Sequence, residues 1–513
     1  MVELLMGVET EYGFSAVSHS GEGLSRDHFL ARLQTLAAER LLHVQGNQGG
    51  VFLENGARFY IDHGGHPELS SPECTNPWDV VRYVQAGHRI CCELQQELES
   101  SDSELRELLF LRGNVDYSGS LSTWGCHESY LTQNVPLSFA DQIVPHLVSR
   151  VIYSGAGGFD PTSPGVRFVL SPRSLHLERV ISGSSTEHRG IFHTKDESLC
   201  GHGFKRLHIL CGDSLCSETS QWLMVATTAL VVAMADAGTH PGERVRLVTP
   251  LRALRTIVRD PSCKARVRLA NGDRVTAVAI QRHYLAEAEA RVGEDFMPSW
   301  TKRVLPRWRE TLDRLEQTPD ELSTTLDWAI KLALFREHVQ RRGMEWELLG
   351  PWTTVLTRVE KGQDADREKL TPTLRKKGYR LKDLDRVRAL RDELFEIDTR
   401  FGQLGDRGIF TRLDRAGVLE HRLTTGGEIE RAMRYPPAGT RARLRGETIR
   451  KLGAANSRNR CGWEAFWDLD GMRSLELSHP FETRERWGPI PPDETGFPTV
   501  SEDVVTLLQR LGL

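Results

Sequence analysis

Residues 55–73, NGARFYIDHGGHPELSSPE, constrain the fold of this chain more than any other segment. Side chains alternate between the two faces of a β-strand, so Arg58, Tyr60 and Asp62 would project to one side, with apolar residues on the other. An exposed antiparallel strand shows the same alternation without any function, and for this segment alone that is the simpler interpretation. The run from Val51 to Asp62 therefore predicts a strand with one polar face.

A second extended segment, GVETEYG at residues 7–13, carries Glu9 and Glu11 on one face. Carboxylates are the ligands that hard cations take, and the chain lacks the loop of clustered Asp and Asn that an EF-hand uses for Ca²⁺. Arg58 is suited to hold a phosphate, and the carboxylates that follow it are suited to bind Mg²⁺ or accept a proton. We therefore predict a magnesium site between two acidic strands.

The order of elements along the chain indicates the fold class. Strands alternate with helices, but no Gly-rich βαβ fingerprint and no P-loop motif is present. This pattern indicates an α+β fold with a mostly antiparallel sheet packed on helices. Segments 166–170 and 175–180 alternate like a pair of strands, and 205–210 reads as a short strand. Helices are predicted at about residues 26–41, 76–99, 139–154, 217–237 and within 300–342.

Composition excludes several classes of protein. The net charge of −4, from 66 basic and 70 acidic residues, predicts no nucleic-acid partner and no anionic membrane surface. The nine cysteines include no CxxC pair, which favours free thiols in a reducing cytoplasm. The N-terminus lacks the pattern of a signal peptide, and the longest apolar run, residues 223–235, is too short to span a bilayer.

At 513 residues the chain is long enough for more than one domain. Two consecutive prolines, Pro436 and Pro437, mark a boundary. We predict a large domain over residues 1–435 and a small C-terminal domain over 436–513. The polar, mostly basic stretch 358–388 reads as a solvated linker or an insertion in the large domain.

Seven motifs, in order along nearly the whole chain, resemble one family. It comprises the ligases of the small protein modifier Pup and the related depupylases and Pup deamidases, within the carboxylate–amine ligase superfamily that includes glutamine synthetase. Several such blocks together make a specific signal. The motifs are GVETEYG at 7–13, NGARFYIDHGGHPELSSPEC at 55–74, GCHESYL at 125–131, RLHILCGDSLCSET at 206–219, LDWAIKLALF at 326–335, RGIFTRL at 407–413 and TRARLRGE at 440–447.

The resemblance implies a glutamine-synthetase-like large domain, whose antiparallel sheet forms a cradle, and a role for each matching residue. Asp62 aligns with the catalytic aspartate of the family. His127 and Arg206 fall in matching motifs and are expected near the phosphates, with His127 as a further metal ligand beside Glu11. The expected Mg²⁺ ligands from the family motif are Glu9, Tyr60 and Glu68, and the expected ATP contacts are Arg58, Ser71 and Trp463.

The resemblance also implies a reaction, for which three alternatives stay open. The first is an ATP-dependent ligase that joins the C-terminal glutamate of a small ubiquitin-like modifier to a target lysine. The second is a depupylase or deamidase that cleaves that bond or a terminal glutamine amide. The third is a non-catalytic homologue that keeps the cradle as a docking surface.

Short sequence features favour the ligase over the depupylase. Only a short segment separates residue 13 from residue 55, and the spacing from Asp62 to Glu68 is that of the ligase. The adjacent Asp62 and His63 resemble the depupylase instead. The chain also departs from the family at residues 193–201, where Lys195 replaces an arginine and a bidentate fork of donors is lost.

Overall fold

The structure is a computed structural model that describes residues 4–120, 122–183, 188–194, 199–360, 370–453 and 458–491. The strands of this part of the chain are β1 (Met6–Glu11), β2 (Gly13–Ser18), β3 (His43–Gly46), β4 (Val51–Leu53), β5 (Arg58–Ile61), β6 (Pro67–Ser70), β7 (Leu105–Leu111), β8 (Cys126–Thr132), β9 (Gly158–Phe159), β10 (Phe168–Val169), β11 (Arg179–Ser182), β12 (Gly190–His193), β13 (Lys205–Gly212), β14 (Arg266–Arg268), β15 (Arg274–Thr276), β16 (Arg460–Cys461), β17 (Ala465–Asp468), β18 (Arg473–Glu476) and β19 (Trp487–Pro489).

Fifteen α-helices of the described residues connect these strands or pack on them. They are α1 (Arg26–Arg40), α2 (Pro77–Ser101), α3 (Ala140–Ser149), α4 (Val151–Ser154), α5 (Glu218–Asp236), α6 (Pro250–Ile257), α7 (Ala277–Ala290), α8 (Thr301–Gln317), α9 (Asp327–Arg341), α10 (Leu349–Glu360), α11 (Pro372–Lys376), α12 (Leu384–Phe401), α13 (Ile409–Arg415), α14 (Gly426–Arg434) and α15 (Arg441–Leu452).

One sheet of 13 strands runs through the molecule in the order β11-β12-β13-β8-β1-β6-β5-β4-β3-β16-β17-β18-β19. Two of its pairs, β11–β12 and β16–β3, are parallel, and the other pairs are antiparallel. The predicted α+β class with a mostly antiparallel sheet is therefore confirmed.

The back face of the sheet is apolar and packs on α2 and α5. Val8, Tyr130 and Leu207 project from three adjacent strands into the main core. Gly87 allows α2 to approach closely, because a Cβ at this position would lie only 2.7 Å from a methyl carbon of Leu69 on β6. The polar side chains of the same strands are thereby held on the opposite face.

A buried ion pair ties β8 to the helices behind it. The Arg150 guanidinium donates to Glu128 at 2.8 Å through Nη1, and Tyr130 donates to the same carboxylate at 2.7 Å. Arg150 also donates to Thr228 on α5. This network gives the buried guanidinium of Arg150 an opposite charge and hydrogen-bond acceptors among apolar side chains.

Helix boundaries follow the caps that the sequence offers. Ser25 accepts from the backbone N–H of His28 at the start of α1, and Asn76 accepts from Asp79 N–H before Pro77 opens α2. The predicted helix at 139–154 is divided into α3 and α4, which follow a short 3-10 turn at residues 136–139.

Two predicted strand arrangements are wrong. The single strand from Val51 to Asp62 is a hairpin, because Asn55 and Gly56 turn the chain between β4 and β5, and Gly56 has a φ of +82°. Segments 166–170 and 175–180 do not pair with each other. Residues 168–169 pair with β9, residues 173–176 form a 3-10 helix, and β11 pairs with β12.

The C-terminal segment continues the same sheet. β16 pairs with β3, and the strands after it extend the sheet to its far edge. This end has its own small core, which includes Phe52, Ile449 and Phe466. The boundary after residue 435 stays a prediction, as does the role of the polar stretch 358–388. Residues 361–369 of that stretch lie outside the described residues, and its remainder includes the end of α10, α11, a 3-10 helix at residues 381–383 and the start of α12.

In the described part of the chain, no helix combines the length and the apolar character needed to cross a bilayer. All nine cysteines are free thiols, and most of them are buried.

Candidate active site on the polar face of the sheet

The polar face of five adjacent strands forms a cradle. Glu9 on β1 lies opposite Ser70 on β6 and His127 on β8. Glu11 lies opposite Glu68 on β6, and Glu68 in turn lies opposite Tyr60 on β5. The predicted convergence of two acidic segments is therefore present, with β6 between β1 and β5.

Glu9 is surrounded by cationic and imidazole groups. His127 Nδ1 and His208 Nε2 each lie 3.7 Å from Glu9 Oε2, and Arg206 Nη1 lies 3.9 Å from Oε1. Burial opposes ionisation, but the hydrogen bond from His127 and the charges of His208 and Arg206 outweigh it and hold the pKa of Glu9 well below its usual value. Glu9 is therefore ionised.

Glu68 shows the opposite effect. Burial, followed by the negative charges of Glu9 and Glu11, raises the pKa of Glu68 well above its usual value. The pKa of the Tyr60 hydroxyl is raised by burial and by the same kind of charge, from Glu9 and Glu68. Carboxylates held this close in a buried site are stabilised as anions when a cation lies between them.

Candidate metal positions follow from these distances. Ligand atoms of Glu9, His127 and His208 lie within 4.8 Å of one another, and so do those of Glu11, Glu68 and His127. A third set combines Glu11 with Asp62 and His66 of the loop after β5. The second and third sets each offer two carboxylates and one imidazole and fit Mg²⁺, whereas the first set offers one carboxylate and two imidazoles. The ligand roles of Glu9, Tyr60, Glu68, Glu11 and His127 stay predictions.

Asp62 begins the turn between β5 and β6 and borders the cradle. Its Oδ1 accepts the backbone N–H of His66 at 2.5 Å, and its Oδ2 lies 3.3 Å from His66 Nδ1. Burial opposes these contacts, yet the hydrogen bonds from His66 prevail and lower the pKa of Asp62. The carboxylate is thus fixed in direction and ionised, as a proton acceptor must be.

Arg58 lies on the same face, one register row from Tyr60. Its guanidinium donates to the carbonyl oxygens of Gln48 and Gly49 at 3.0 and 2.9 Å, and it stands 4.4 Å from the centre of the Tyr60 ring. No carboxylate of the described residues pairs with it at ion-pair distance. The geometry suits the predicted contact with an anionic nucleotide.

Three buried nitrogens of this face lack a hydrogen-bond partner among the described residues: Arg58 Nε, Arg206 Nε and His208 Nε2. A buried donor without an acceptor is costly, so such groups indicate where a ligand or solvent belongs. Their common position on the cradle fits a phosphate-bearing ligand.

A cavity of about 90 Å³ brings Glu9, Ser71, Arg206 and Trp463 together. The Ser71 hydroxyl accepts the Val8 N–H at 3.0 Å and donates to the Pro72 carbonyl at 3.1 Å, so it braces the end of β6 against β1. Its contact with nucleotide stays a prediction.

A wider cleft of about 600 Å³ adjoins this cavity and shares Trp463 with it. Its lining includes Arg58 and Phe52 together with Trp467 and Trp487 of the C-terminal strands. The Trp463 ring meets Phe52 edge to face at 5.1 Å, and Arg445 stands 4.8 Å from its centre. Aromatic faces beside basic donors suit a nucleobase joined to phosphates.

The family follows from comparisons with known proteins. The family profile described as Pup-ligase protein matches residues 4–352 and 347–467. The chain is 31% identical over 492 residues to the Pup–protein ligase of Acidimicrobium ferrooxidans, covering 94% of this chain and 96% of the relative. It is 32% identical over 456 residues to the Pup–protein ligase of Rhodococcus opacus, covering 88% and 90%.

This chain belongs to the Pup-ligase family. Two solved structures of the family share its fold. The complex of the modifier Pup with its ligase PafA matches with a TM-score of 0.72 at 25% identity, over 94% of this chain and 90% of that one. PafA in complex with ADP matches with a TM-score of 0.68 at 25% identity, over 90% and 91%.

Motif reasoning overlooked two side chains of this Pup-ligase family site. His208 contacts Glu9, and it lies two residues after Arg206 on β13, so strand alternation alone would have placed it on the cradle face. His66 orients Asp62 through the turn, which alternation does not describe. The departure at Lys195 lies outside the described residues.

We expect the Glu9→Gln substitution to weaken Mg²⁺ affinity by at least about 10–100-fold, because even residues behind metal ligands contribute this much. Glutamine keeps the size of the side chain but removes the charge. The measurement is the Mg²⁺ concentration that half-saturates ADP binding in calorimetry. The exposed Glu22→Gln variant is the control, and wild-type Mg²⁺ dependence in Glu9→Gln would exclude Glu9 as a ligand.

Proposed function

We propose that this member of the Pup-ligase family is an ATP-dependent Pup–protein ligase. It joins the C-terminal glutamate of a small ubiquitin-like modifier to the side chain of a target lysine. The observation that carries the proposal is the cradle itself. Its four carboxylates, from Glu9, Glu11, Asp62 and Glu68, meet unpartnered basic nitrogens on one sheet face. Relatives named Pup–protein ligases support the same conclusion along most of the chain.

The chemistry requires two steps, because a carboxylate is a poor acyl donor. An oxygen of a carboxylate of the C-terminal glutamate attacks the γ-phosphorus of ATP, the bond to the β-phosphate oxygen breaks, and ADP leaves. The lysine nitrogen then attacks the carbonyl carbon of this acyl phosphate. The C–O bond breaks, inorganic phosphate leaves, and an isopeptide bond remains.

We assign the nucleotide to the cleft between the cradle and the C-terminal strands. Arg58, Arg206 and Ser71 would meet its phosphates, and Trp463 its base or sugar. The ADP-bound relative of the same fold supports the use of an adenine nucleotide. Mg²⁺ held by Glu9, Tyr60 and Glu68, with Glu11 and His127 beside them, would neutralise charge on the phosphates.

We assign proton transfer to Asp62. An attacking lysine has a reference pKa of about 10.4 and is protonated at neutral pH, so a base must take a proton from its nitrogen. The lowered pKa of Asp62 keeps the carboxylate ionised for this role. Asp62 also lies close to the predicted metal ligand Glu11, since ligand atoms of Glu11, Asp62 and His66 lie within 4.8 Å of one another.

We further propose a cytoplasmic location and a separate C-terminal domain. The nine free thiols support a reducing compartment. The C-terminal tryptophans that line the nucleotide cleft all follow residue 435, and this unit would pack on the large domain through the small core that Phe52 shares with Ile449 and Phe466.

The test is a conjugation assay with the purified chain, ATP, Mg²⁺, a modifier that ends in glutamate and an acceptor protein. The expected product has the summed mass of modifier and acceptor less one water, and appears with one ADP. Omitting ATP or methylating the acceptor lysines is expected to prevent it. Release of modifier from a ready-made conjugate, without ligation, would instead identify a depupylase, and binding of Mg-ATP without either reaction a docking protein.

A further inference from the structure

Arg173 is a buried arginine at the edge of the cradle to which the motifs assign no role. It opens a 3-10 helix, residues 173–176, and its side chain is enclosed, with 3% of the residue exposed. Nε and Nη2 donate to the Leu210 carbonyl at 3.2 and 3.0 Å, and Nη1 donates to Thr123 at 3.3 Å. These bonds use three of the five N–H donors of a guanidinium.

The guanidinium lies beside two of the predicted metal ligands. A Cβ on Gly125 would lie 2.6 Å from Arg173 Nη2 and equally 2.6 Å from His127 Nε2, so the two groups flank Gly125 closely. The Gly125 N–H donates to Glu11, and His127 Nε2 lies 3.9 Å from the same carboxylate. Arg173, His127 and Glu11 thus share one corner of the site.

Arg173 forms no ion pair within the described part of the chain, although the more distant Glu11 carboxylate offsets part of its charge. Arg150 pairs with Glu128, and Arg441 and Arg445 pair with Glu73, whereas Arg173 has no carboxylate at ion-pair distance in the described ranges. Burial lowers the pKa of Arg173. The positive charge of Arg189 lowers it further, and the negative charge of Glu11 raises it only in part. A buried positive charge that is only partly offset attracts an additional anion to the site.

Burial without an ion-pair partner does not distinguish Arg173, because Arg112 is buried in the same way. Its Nε donates to the Gly402 carbonyl at 3.3 Å, and its guanidinium stands 5.7 Å from the centre of the Phe410 ring. What distinguishes Arg173 is its place: its fixed charge lies next to Glu11 and His127, at the end of the cradle away from Trp463.

We propose that Arg173 is a positioning residue for phosphoryl transfer, which holds the Glu11–Gly125–His127 corner and directs a permanent positive charge toward the phosphoryl group as it passes to the substrate carboxylate. This inference rests on the proposed ligase function. When Mg²⁺ neutralises the carboxylates, the charge of Arg173 is no longer offset by Glu11. A preorganised charge in a site that excludes water stabilises the developing negative charge without reorganisation.

The test compares the Arg173→Gln and Arg173→Lys variants. Arg173→Gln is expected to lower kcat for conjugation by about 10²-fold, the effect of losing one preorganised donor, with KM for the modifier near the wild-type value. Arg173→Lys keeps the charge and is expected to recover part of kcat. Because the guanidinium repels a cation, Arg173→Gln is also expected to lower the Mg²⁺ concentration that half-saturates ADP binding, by about threefold or more.

The matched control is Arg112→Gln, which removes another buried arginine held by a carbonyl. It is expected to lower the melting temperature and to leave kcat and the Mg²⁺ requirement near wild type. A wild-type kcat in folded Arg173→Gln overturns the proposal. The proposal is also overturned if both Arg173 variants lose the same fraction of kcat and keep the wild-type Mg²⁺ requirement, because that outcome shows that Arg173 only supports the structure. If Arg173→Gln does not fold, Arg173→Lys decides: retained activity supports the charge, and complete loss opposes it.

Calorimetry separates this inference from the function it rests on. If the wild-type chain forms no conjugate, the proposed ligase function fails. The Mg²⁺ dependence of ADP binding in Arg173→Gln then still decides whether Arg173 acts on the cradle, since an unchanged dependence overturns that claim.

Discussion

Replacing Asp62 with asparagine is expected to lower the turnover of conjugation by about 10²–10⁴-fold, the usual contribution of a general base. Asparagine keeps the shape of the side chain and accepts the same backbone N–H from His66, so the turn between β5 and β6 should persist. It does not take a proton from the attacking lysine. Asp62 does not line the cavities that contain Trp463, so the affinity for ADP is expected to stay near the wild-type value.

The measurement is steady-state conjugation, with ADP binding followed by calorimetry on the same preparation. Asp141→Asn is the control, because this exposed residue on α3 pairs with the exposed Arg246 at 2.8 Å. Turnover retained in Asp62→Asn would remove Asp62 from the mechanism, whereas loss of both turnover and ADP binding would indicate a damaged site.

The Glu73→Gln substitution is expected to lower the free energy of unfolding by about 3–5 kcal/mol, the cost of breaking a buried ion pair. Glu73 follows β6 and accepts from Arg441 Nε at 2.6 Å and from Arg445 Nη1 at 3.3 Å. The side chains of these arginines are 4% and 0% exposed. Glutamine would leave two buried positive charges without a neutralising partner.

The same ion pair makes stability depend on pH. Burial opposes ionisation of Glu73, but Arg445 and Arg441 outweigh it and lower its pKa from 4.5 to about 2. A carboxyl with a lowered folded-state pKa stabilises the fold above its unfolded value and loses that contribution as the pH falls toward the folded value. The difference between wild type and Glu73→Gln should therefore be full at neutral pH and shrink below pH 4.5.

Urea unfolding at several pH values measures this difference. Glu447→Gln is the control. Glu447 lies on α15, as do Arg441 and Arg445, but its pair with Arg443 is exposed and is expected to contribute only about 0.2–1 kcal/mol. A Glu73→Gln protein as stable as wild type at neutral pH would show that the pair does not hold α15 against β6.

The cradle was predictable because strand alternation fixes which side chains share a face. Glu9 with Glu11, and Arg58 with Tyr60, project together as expected. The hairpin between β4 and β5 had a signal that was overlooked: Asn-Gly at residues 55–56 is a strong turn pair. Side-chain alternation alone, without this turn pair, predicts one polar strand over residues 51–62.

Other parts of the site depend on contacts that no local pattern describes. Arg173 comes from a 3-10 helix far from β1 in sequence, and only the packed structure brings it beside Gly125. Segments 166–170 and 175–180 alternate like strands. Buried residues of both segments belong to the main core, so the alternation reflects burial and does not mean that the two segments pair with each other. Local sequence thus specifies faces of elements better than it specifies their partners.

The parallel pairing of β3 with β16 has a consequence for synthesis. Gln45 and Arg460 lie near opposite ends of the chain, yet they occupy neighbouring positions in one sheet. Contacts between such distant segments form late, and chains emerge from the ribosome from the N-terminus onward. A partly made polypeptide therefore has the acidic strands but lacks the tryptophans that line the cleft. Nascent chains should neither bind nucleotide nor modify other proteins before the C-terminal strands have been made.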